Sequence, residues 1–260
     1  MSLIVPCLVL FIGHQMDISY SPEVVRQLAP TGVLRAGINL SNFLLVTGKT
    51  ADGDPVGVAP DMAKAIADHL GVGLKLVPFT GPGLLADAAV DDVWDIGLIG
   101  AEPARATHIN FSDAYVEIEA TYLVWADSAF QTAQDLDAAG VRIAVSERTA
   151  YDLWLVRNIQ HAELVHRQGF DAAKEAFINE KCEALACLRP ALLKDVQTIS
   201  GTRIVSGRFT AIQQAIGTHR RHAEAAAFLQ RFSQHAIASG LAASLISKHQ
   251  VEGLSVAPLA

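Results

Sequence analysis

The sequence predicts an α/β fold with two domains, each a mainly parallel sheet flanked by helices. Strand-like runs alternate with amphipathic helical runs, which is typical of parallel sheets. The run at 94–100 is apolar and typical of a strand buried on both faces. The order of helix, strand, loop and helix restarts after residue 127, which indicates a second domain. With 51% hydrophobic residues, the 260-residue chain can form a substantial core.

The first half predicts the elements of one domain. The helix is indicated by Met62, Ile66 and Leu70 at helical spacing, with Pro60 near its start and Gly71 at its end. In order, we expect a strand at 32–40, a hairpin or loop at 47–57, this helix at 59–71, a strand at 73–79, a short helix at 83–93, and strands at 94–100 and 120–127.

The second half repeats the pattern and ends in two helical stretches divided at Gly240. We expect a strand at 142–145, a helix over 149–158, a strand at 162–167, a helix over 170–181, strands at 182–188 and 208–218, and the helical stretches within 222–249. No long linker separates the two halves, so we expect ordered strands to join the domains.

The composition argues against several classes of protein. A net charge of −7 without a dense Lys/Arg run predicts that the protein binds neither nucleic acid nor an anionic membrane surface. Cys7, Cys182 and Cys187 have neither disulfide-framework nor zinc-site spacing, and we interpret Cys182 and Cys187 as small buried apolar residues. The nine histidines lack metal-ligand spacing apart from His219 and His222, which we expect to be solvated. The sequence therefore predicts no metal, no cofactor and no catalytic residue.

The N-terminus has two interpretations. Residues 1–15 include an apolar run like the core of a signal peptide, but lack a positive flank and a typical cleavage site. They are also too few to span a bilayer as a helix. Translation from Met16 would leave no export signal and a cytoplasmic protein.

Arg105 is the first candidate for binding a ligand. Gly100 ends the apolar strand, and α/β proteins bind ligands at the carboxyl ends of such strands. Glycine lets a carboxylate approach backbone N–H groups, and a guanidinium five residues later can bind its two oxygens. The alternative is a surface arginine paired with Glu102 or Asp113.

Ser146 and Thr149 are the second candidate. They lie between a predicted strand and a predicted helix, where hydroxyls and helix N-terminal amides could bind an anion together. The alternative is that Thr149 caps the helix.

Several segments together resemble one known family. They are "LRAGINL", "GVAPDMAKAIADHLG", "WDIGLIGAEPAR", "INFSDAY" and "IAVSERTAYDLW". The chain from about Gly32 onward is similar to the type-3 periplasmic solute-binding proteins, the amino-acid-binding subunits of ABC importers. The second segment and the arginine followed by "INFSDAY" are the specific motifs.

The resemblance implies a clamshell of two domains joined by two hinge strands. Domain 1 would comprise residues 16–123 and 217–260, and domain 2 residues 124–216, leaving 1–15 as an extension or signal remnant. It also implies a periplasmic monomer that captures a small carboxylate, an amino acid or related organic acid, for an ABC permease, without cofactor or membrane insertion.

The resemblance also implies roles for individual residues. Arg105 would bind the ligand carboxylate beside Gly100, where the family usually has Ser or Thr. Thr149, with Ser146 nearby, would close on the same carboxylate from the other domain. Asn39 and Asn42 fall where the family binds the ligand side chain.

One departure from the family pattern concerns the ligand's amino group. The family has an Asp for the ligand ammonium just after the strand matching "CEALACLRP", where this chain has Leu188 or Arg189. An ammonium buried without a counter-charge would be costly. The ligand would then lack an α-amino group, or be a dianion that uses Arg189 as a second clamp. The alternative places Arg189 on the surface before Pro190.

Two other functions compete with solute binding. The fold also resembles that of cyclohexadienyl and arogenate dehydratases, which need an acid in the cleft. Glu102 is the nearest candidate by sequence. A ligand-sensing domain is the third hypothesis, favoured if translation starts at Met16.

Overall fold

The computed structural model describes residues 18–259. The N-terminal segment 1–15, the alternative start at Met16 and Cys7 therefore lie outside the described residues. The helices are α1 Pro22–Leu28, α2 Val58–Leu70, α3 Pro82–Asp87, α4 Ala150–Asn158, α5 Phe170–Asn179, α6 Arg189–Thr198, α7 Ala223–Ala238 and α8 Leu241–Lys248. The strands are β1 Val33–Asn39, β2 Gly48–Lys49, β3 Pro55–Val56, β4 Gly73–Phe79, β5 Ile96–Gly100, β6 Ile109–Phe111, β7 Val116–Trp125, β8 Arg142–Ser146, β9 Glu163–Arg167, β10 Ala184–Leu188, β11 Thr202–Ile204, β12 Thr210–His219 and β13 Ser255–Val256.

One mixed sheet runs through the protein in the order β4-β1-β5-β12-β7-β10-β8-β9. Its two ends are parallel, because β1 pairs in parallel with β4 and β5, and β8 with β9 and β10. Its centre is antiparallel, because β12 pairs with β5 and β7, and β7 with β10. The α/β clamshell class is confirmed, with the antiparallel centre formed by the two long strands β7 and β12.

Each half of the sheet has its own apolar core. In lobe 1, which we define as α1–α3, β1–β6, α7 and α8, the core includes Ile38, Met62 and Phe228. In lobe 2, which we define as α4–α6 and β8–β11, it includes Val145 and Phe177. The strands β7 and β12 run between the lobes, and the predicted domain boundaries fall within them. The exact boundaries remain a prediction.

Several elements differ from the sequence expectation. Helix α3 ends at Asp87 rather than near 93, because buried Trp94 donates its Nε1–H to the Leu85 carbonyl at 2.9 Å and the chain turns back over it. Helix α6 was not predicted, because it begins directly at Arg189 without a loop after β10. Helix α1 and strands β6 and β11 were also not predicted.

Neither a membrane span nor a metal site is found in the described part of the chain. Among residues 18–259, no helix has both the length and the apolar character needed to cross a bilayer. The same residues contain no group of three His, Cys, Asp or Glu side chains placed to hold a metal ion. Cys182 and Cys187 are both buried free thiols, as expected.

Candidate ligand-binding site

A cavity of about 430 Å³ lies between the lobes and is lined by residues of both. It lies at the carboxyl ends of the parallel strands, where open α/β sheets bind ligands. Lobe 1 contributes Asn39, Ser41, Asn42, Phe43, residues 80–84, Gly100 and Arg105. Lobe 2 contributes residues 146–151 and 168–170, Cys187, Leu188 and Ala191, and β12 contributes Ile212 and Gln214.

The side chain of Arg105 is buried against this cavity, with the residue only 6% exposed. Its Nη1 donates to the Gly100 carbonyl at 2.7 Å, and its Nη2 donates to the Arg148 carbonyl at 2.9 Å. A guanidinium has five N–H donors, so three remain unused by these two bonds. Arg105 therefore contacts both lobes and is not the surface residue of the alternative interpretation.

No carboxylate of the described chain forms an ion pair with Arg105. Glu102 instead pairs with Arg157 of α4 at 2.5 Å, and Asp113 accepts a hydrogen bond from Gln234 at 3.0 Å. Burial lowers the pKa of Arg105 to about 10, the nearby charge of Glu102 partly opposes this, and the charge of Arg148 adds to it. A buried charge without a counter-ion is unfavourable, so this guanidinium favours an anionic ligand.

Gly100 allows the lobes to come close together beside Arg105. A Cβ at Gly100 would lie 2.9 Å from the Ala150 Cβ and 3.1 Å from the Ile212 Cγ2. It would also lie 3.6 Å from the Arg105 Nη1. Because Gly100 has no side chain, α4 and β12 can approach it this closely.

Ser146 and Thr149 lie on the opposite wall of the cavity, at the start of α4. The Thr149 Oγ1 accepts from the Asp152 N–H at 3.2 Å and donates to the Ser146 carbonyl at 2.9 Å. The capping role anticipated as the alternative is thus present. The N-terminus of α4, with its partial positive charge, also lies at the cavity wall, because Thr149, Ala150 and Tyr151 line it.

Asn39 and Asn42 also line the cavity, as expected from their positions after β1. The Asn39 Oδ1 accepts hydrogen bonds from the N–H and the hydroxyl of Ser41 at 3.2 and 2.8 Å. The Asn42 Oδ1 accepts from the Leu44 N–H at 3.2 Å. These bonds use the amide oxygens and leave the nitrogens available to a ligand.

Arg189 is not brought to the cavity with the other predicted residues. Its Nε donates to the Glu119 Oε2 at 2.6 Å, and its Nη2 donates to the Gly207 carbonyl. Leu188 lines the cavity instead. The cause is local, because Leu188 pairs with Ala120 on β7 and Arg189 then extends along the neighbouring Glu119.

Arg148 and Gln214 line the cavity but were not predicted. Arg148 has a left-handed backbone with φ of 61°, which is uncommon outside glycine and often found at functional sites. Its Nη2 lies 2.6 Å from the Asp87 Oδ1 in lobe 1. The sequence feature that could have identified Arg148 is its place in the "SERT" turn between strand and helix. For Gln214, the feature is its position two residues after Ile212 in a strand, which puts both side chains on the same face.

The fold and the cavity together define a bilobal α/β binding protein with a ligand-sized cleft. The family model for bacterial extracellular solute-binding proteins, family 3, matches residues 37–251. The chain belongs to this family.

Solved structures of this fold cover most of the chain. The P235GK mutant of ArgBP from T. maritima has a TM-score of 0.69 at 24% identity, covering 88% of this chain and 100% of that one. An amino acid ABC transporter substrate-binding protein from Streptococcus pneumoniae, bound to L-arginine, has a TM-score of 0.68 at 20% identity, covering 90% and 99%. At these identities the likeness shows the fold alone.

A curated relative matches part of the chain. It is the cyclohexadienyl dehydratase of Pseudomonas aeruginosa, which is 29% identical over 145 residues, or 54% of this chain and 53% of the relative. The match thus spans about half the length of that enzyme. The ancestral amino acid-binding protein AncCDT-1, a precursor of cyclohexadienyl dehydratase, has a TM-score of 0.67 at 22% identity, covering 86% of this chain and 98% of that one.

Proposed function

We propose that this protein captures a small carboxylate between its lobes and delivers it to an ABC-type permease. The observation that carries the proposal is the buried guanidinium of Arg105, which has no carboxylate partner in the described chain. A ligand carboxylate would supply the missing negative charge and accept two of the unused N–H groups.

The cavity suits a small acid with an apolar body. Its volume of about 430 Å³ lies in the range of small-molecule sites. Phe43, Leu84, Phe170, Leu188 and Ile212 provide apolar surface around it. We therefore expect the carboxylate to bind at Arg105 and the rest of the ligand to contact these side chains.

Closure of the two lobes would complete the site. Arg105 belongs to lobe 1, while Thr149 and the N-terminus of α4 belong to lobe 2. Because β7 and β12 connect the lobes, bending in these strands would bring the two walls together. We propose the domain limits 16–123 with 217–260, and 124–216, on this basis.

The family also bears on partner and location. Its members are extracellular solute-binding proteins, which supports a permease partner and a periplasmic location. We propose that the protein acts as a monomer, presenting its closed, loaded form to the permease.

A thermal-shift screen of amino and organic acids tests this function. A ligand that binds only the folded protein raises the melting temperature with the logarithm of its concentration. Arg105→Met should abolish the shift, and Arg105→Lys should weaken it, because lysine lacks the planar two-point geometry. Arg26→Met, at an exposed arginine of α1, is the matched control. No shift with any acid, or an unchanged shift in Arg105→Met, would contradict the proposal.

A dehydratase-like enzyme is the second candidate, favoured by the match to cyclohexadienyl dehydratase. The acid suggested by sequence, Glu102, does not line the cavity and is paired with Arg157. Glu147 is the one carboxylate among the lining residues of the described chain. Phenylpyruvate formation from prephenate, lost in Glu147→Gln, would support the enzyme. We expect no turnover.

A further inference from the structure

Gln214 faces the cavity from the strand that crosses between the lobes. Side chains alternate along a strand, so Gln214 lies on the same face of β12 as Ile212, and both line the cavity. Gln213 lies on the other face, where its Nε2 donates to the Glu117 Oε2 at 3.0 Å. The two adjacent glutamines therefore have different environments.

Gln214 is only 4% exposed, none of the side-chain hydrogen bonds found among residues 18–259 involves its amide, and the amide is not among the fully enclosed polar groups that lack a partner. Buried polar side chains are almost always hydrogen-bonded, to protein or to ordered water. Since Gln214 lines the cavity, a bound ligand can take the place of such a water as the partner of its amide.

Gln214 also lies opposite Gly100, the residue whose carbonyl Arg105 contacts. It pairs with Gly100 across β12 and β5, and side chains of such opposed residues start about 5 Å apart. The Arg105 Nη1 would lie 3.6 Å from a Cβ on Gly100. A group attached next to a carboxylate held by Arg105 would therefore come within reach of the Gln214 amide.

The family's ammonium-binding Asp has no counterpart beside Gln214. Leu188 lines the cavity at the end of β10, and the amide itself carries no charge to balance an ammonium. The negative charge of Glu147 acts on Arg148. The pKa of Arg148 is raised mainly by its hydrogen bond to Asp87 and further by the charge of Glu147.

We propose that Gln214 binds an uncharged polar substituent next to the ligand carboxylate, so that the protein prefers 2-oxo and 2-hydroxy acids to 2-amino acids. The inference rests on the proposed function, because it needs a carboxylate at Arg105, and it goes further by naming the ligand class. The amide can donate to an oxo group and can accept from a hydroxyl.

Calorimetric titration with matched acids tests the proposal. The carbon skeletons of phenylalanine and leucine are each used as the unsubstituted, 2-hydroxy, 2-oxo and 2-amino acid. We expect the wild-type protein to bind the 2-oxo or 2-hydroxy member of a series most tightly. Gln214→Leu should lose about tenfold in affinity for these members and little for the unsubstituted acid, because only the former hydrogen-bond the amide. Gln214→Glu should shift the preference toward the 2-amino acid.

Two controls separate the possible failures. Gln213→Leu should keep the wild-type order of affinities. Tightest wild-type binding of the 2-amino acids, or an equal loss for all four members in Gln214→Leu, would overturn the role of Gln214. Unchanged binding in Arg105→Met would overturn the proposed carboxylate site instead, and no binding of any of the eight acids would overturn both.

Discussion

The Nη2 of Arg148 lies 2.6 Å from the Oδ1 of Asp87 and also donates to the Gly83 carbonyl at 3.3 Å. Arg148 belongs to lobe 2, and both of its partners belong to α3 of lobe 1. The Arg148 carbonyl meanwhile accepts the hydrogen bond from Arg105. One residue thus links the lobes through its side chain and its backbone, at the edge of the cavity.

Asp87→Asn should weaken the closed arrangement of the lobes. The paired side chains are 51% and 60% exposed, so we expect a loss of less than about 1 kcal/mol in the free energy of unfolding. The lobes should open more often without ligand, which small-angle X-ray scattering would detect as a larger radius of gyration. Asp68→Asn, which removes an exposed ion pair with Lys64 within α2, is the control. An equal radius for both variants and the wild type would contradict this prediction.

Gly100→Ala should hinder closure around a ligand. The new Cβ would lie 2.9 Å from the Ala150 Cβ, and such overpacking costs about 1–3 kcal/mol. We expect roughly tenfold weaker ligand binding by calorimetry. The reason is that the clash with Ala150 is present only when the lobes are closed on the ligand, so the open form becomes favoured. Adding Ala150→Gly should restore much of the affinity, with Ala150→Gly alone as the control. Failure of this second change to restore binding would mean that the contact is not the cause.

Gly57→Ala should strongly destabilise lobe 1. Gly57 precedes α2 with φ of 153°, and its Cβ would lie 2.3 Å from the Leu45 carbonyl oxygen. Because a backbone atom cannot easily move away, we expect a loss of about 3 kcal/mol or more in urea unfolding. Gly48→Ala, where nothing lies within 4 Å, should change stability little. Similar stabilities of the two variants would argue against this geometry.

The ionised carboxylate of Asp61 should stabilise the fold at neutral pH, and protonation in acid should remove this contribution. Burial raises the pKa of its carboxyl, but the hydrogen bonds from Lys248 and His249, at 2.7 and 2.6 Å, outweigh this and hold the pKa below its ordinary value. This contribution is complete above the unfolded-state pKa of about 4 and is lost as pH falls through the folded-state value.

Asp61→Asn should therefore be less stable than the wild type by about 1 kcal/mol at pH 7, with the difference shrinking as pH falls below the unfolded-state pKa of about 4. Urea unfolding at several pH values measures this. Asp52→Asn, at an exposed carboxyl of the β2–β3 hairpin, is the matched control. A constant difference between Asp61→Asn and the wild type at all pH values would contradict the assignment.

Local patterns predicted much of the fold. Strand β4 lies at the predicted residues 73–79, and α2 begins and ends within one residue of its prediction, because both have clear periodicity and glycine boundaries. Helix α6 was missed because β10 runs directly into it at Arg189. No loop residues separate the strand from the helix there, so the hydrophobic pattern of the sequence does not show where one ends and the other begins.

The site was less accessible to sequence reasoning. The position of Arg105 after a buried strand indicated a ligand-facing side chain, and the structure places it at the cavity. Its contact with the Arg148 carbonyl involves a turn 43 residues away in the sequence, so no local sequence pattern could predict it. Gln214 becomes a candidate only once its pairing with Gly100 is known.

The bonds of Arg105 to carbonyls of both lobes also bear on the kinetics of loading. The bond from Arg105 to the Arg148 carbonyl joins the two walls of the cleft, so it has to break before the lobes can separate and admit a ligand. The observed rate of association should then level off at high ligand concentration, at the rate of opening. Asp87→Asn, by loosening the cross-cleft link, should raise that plateau.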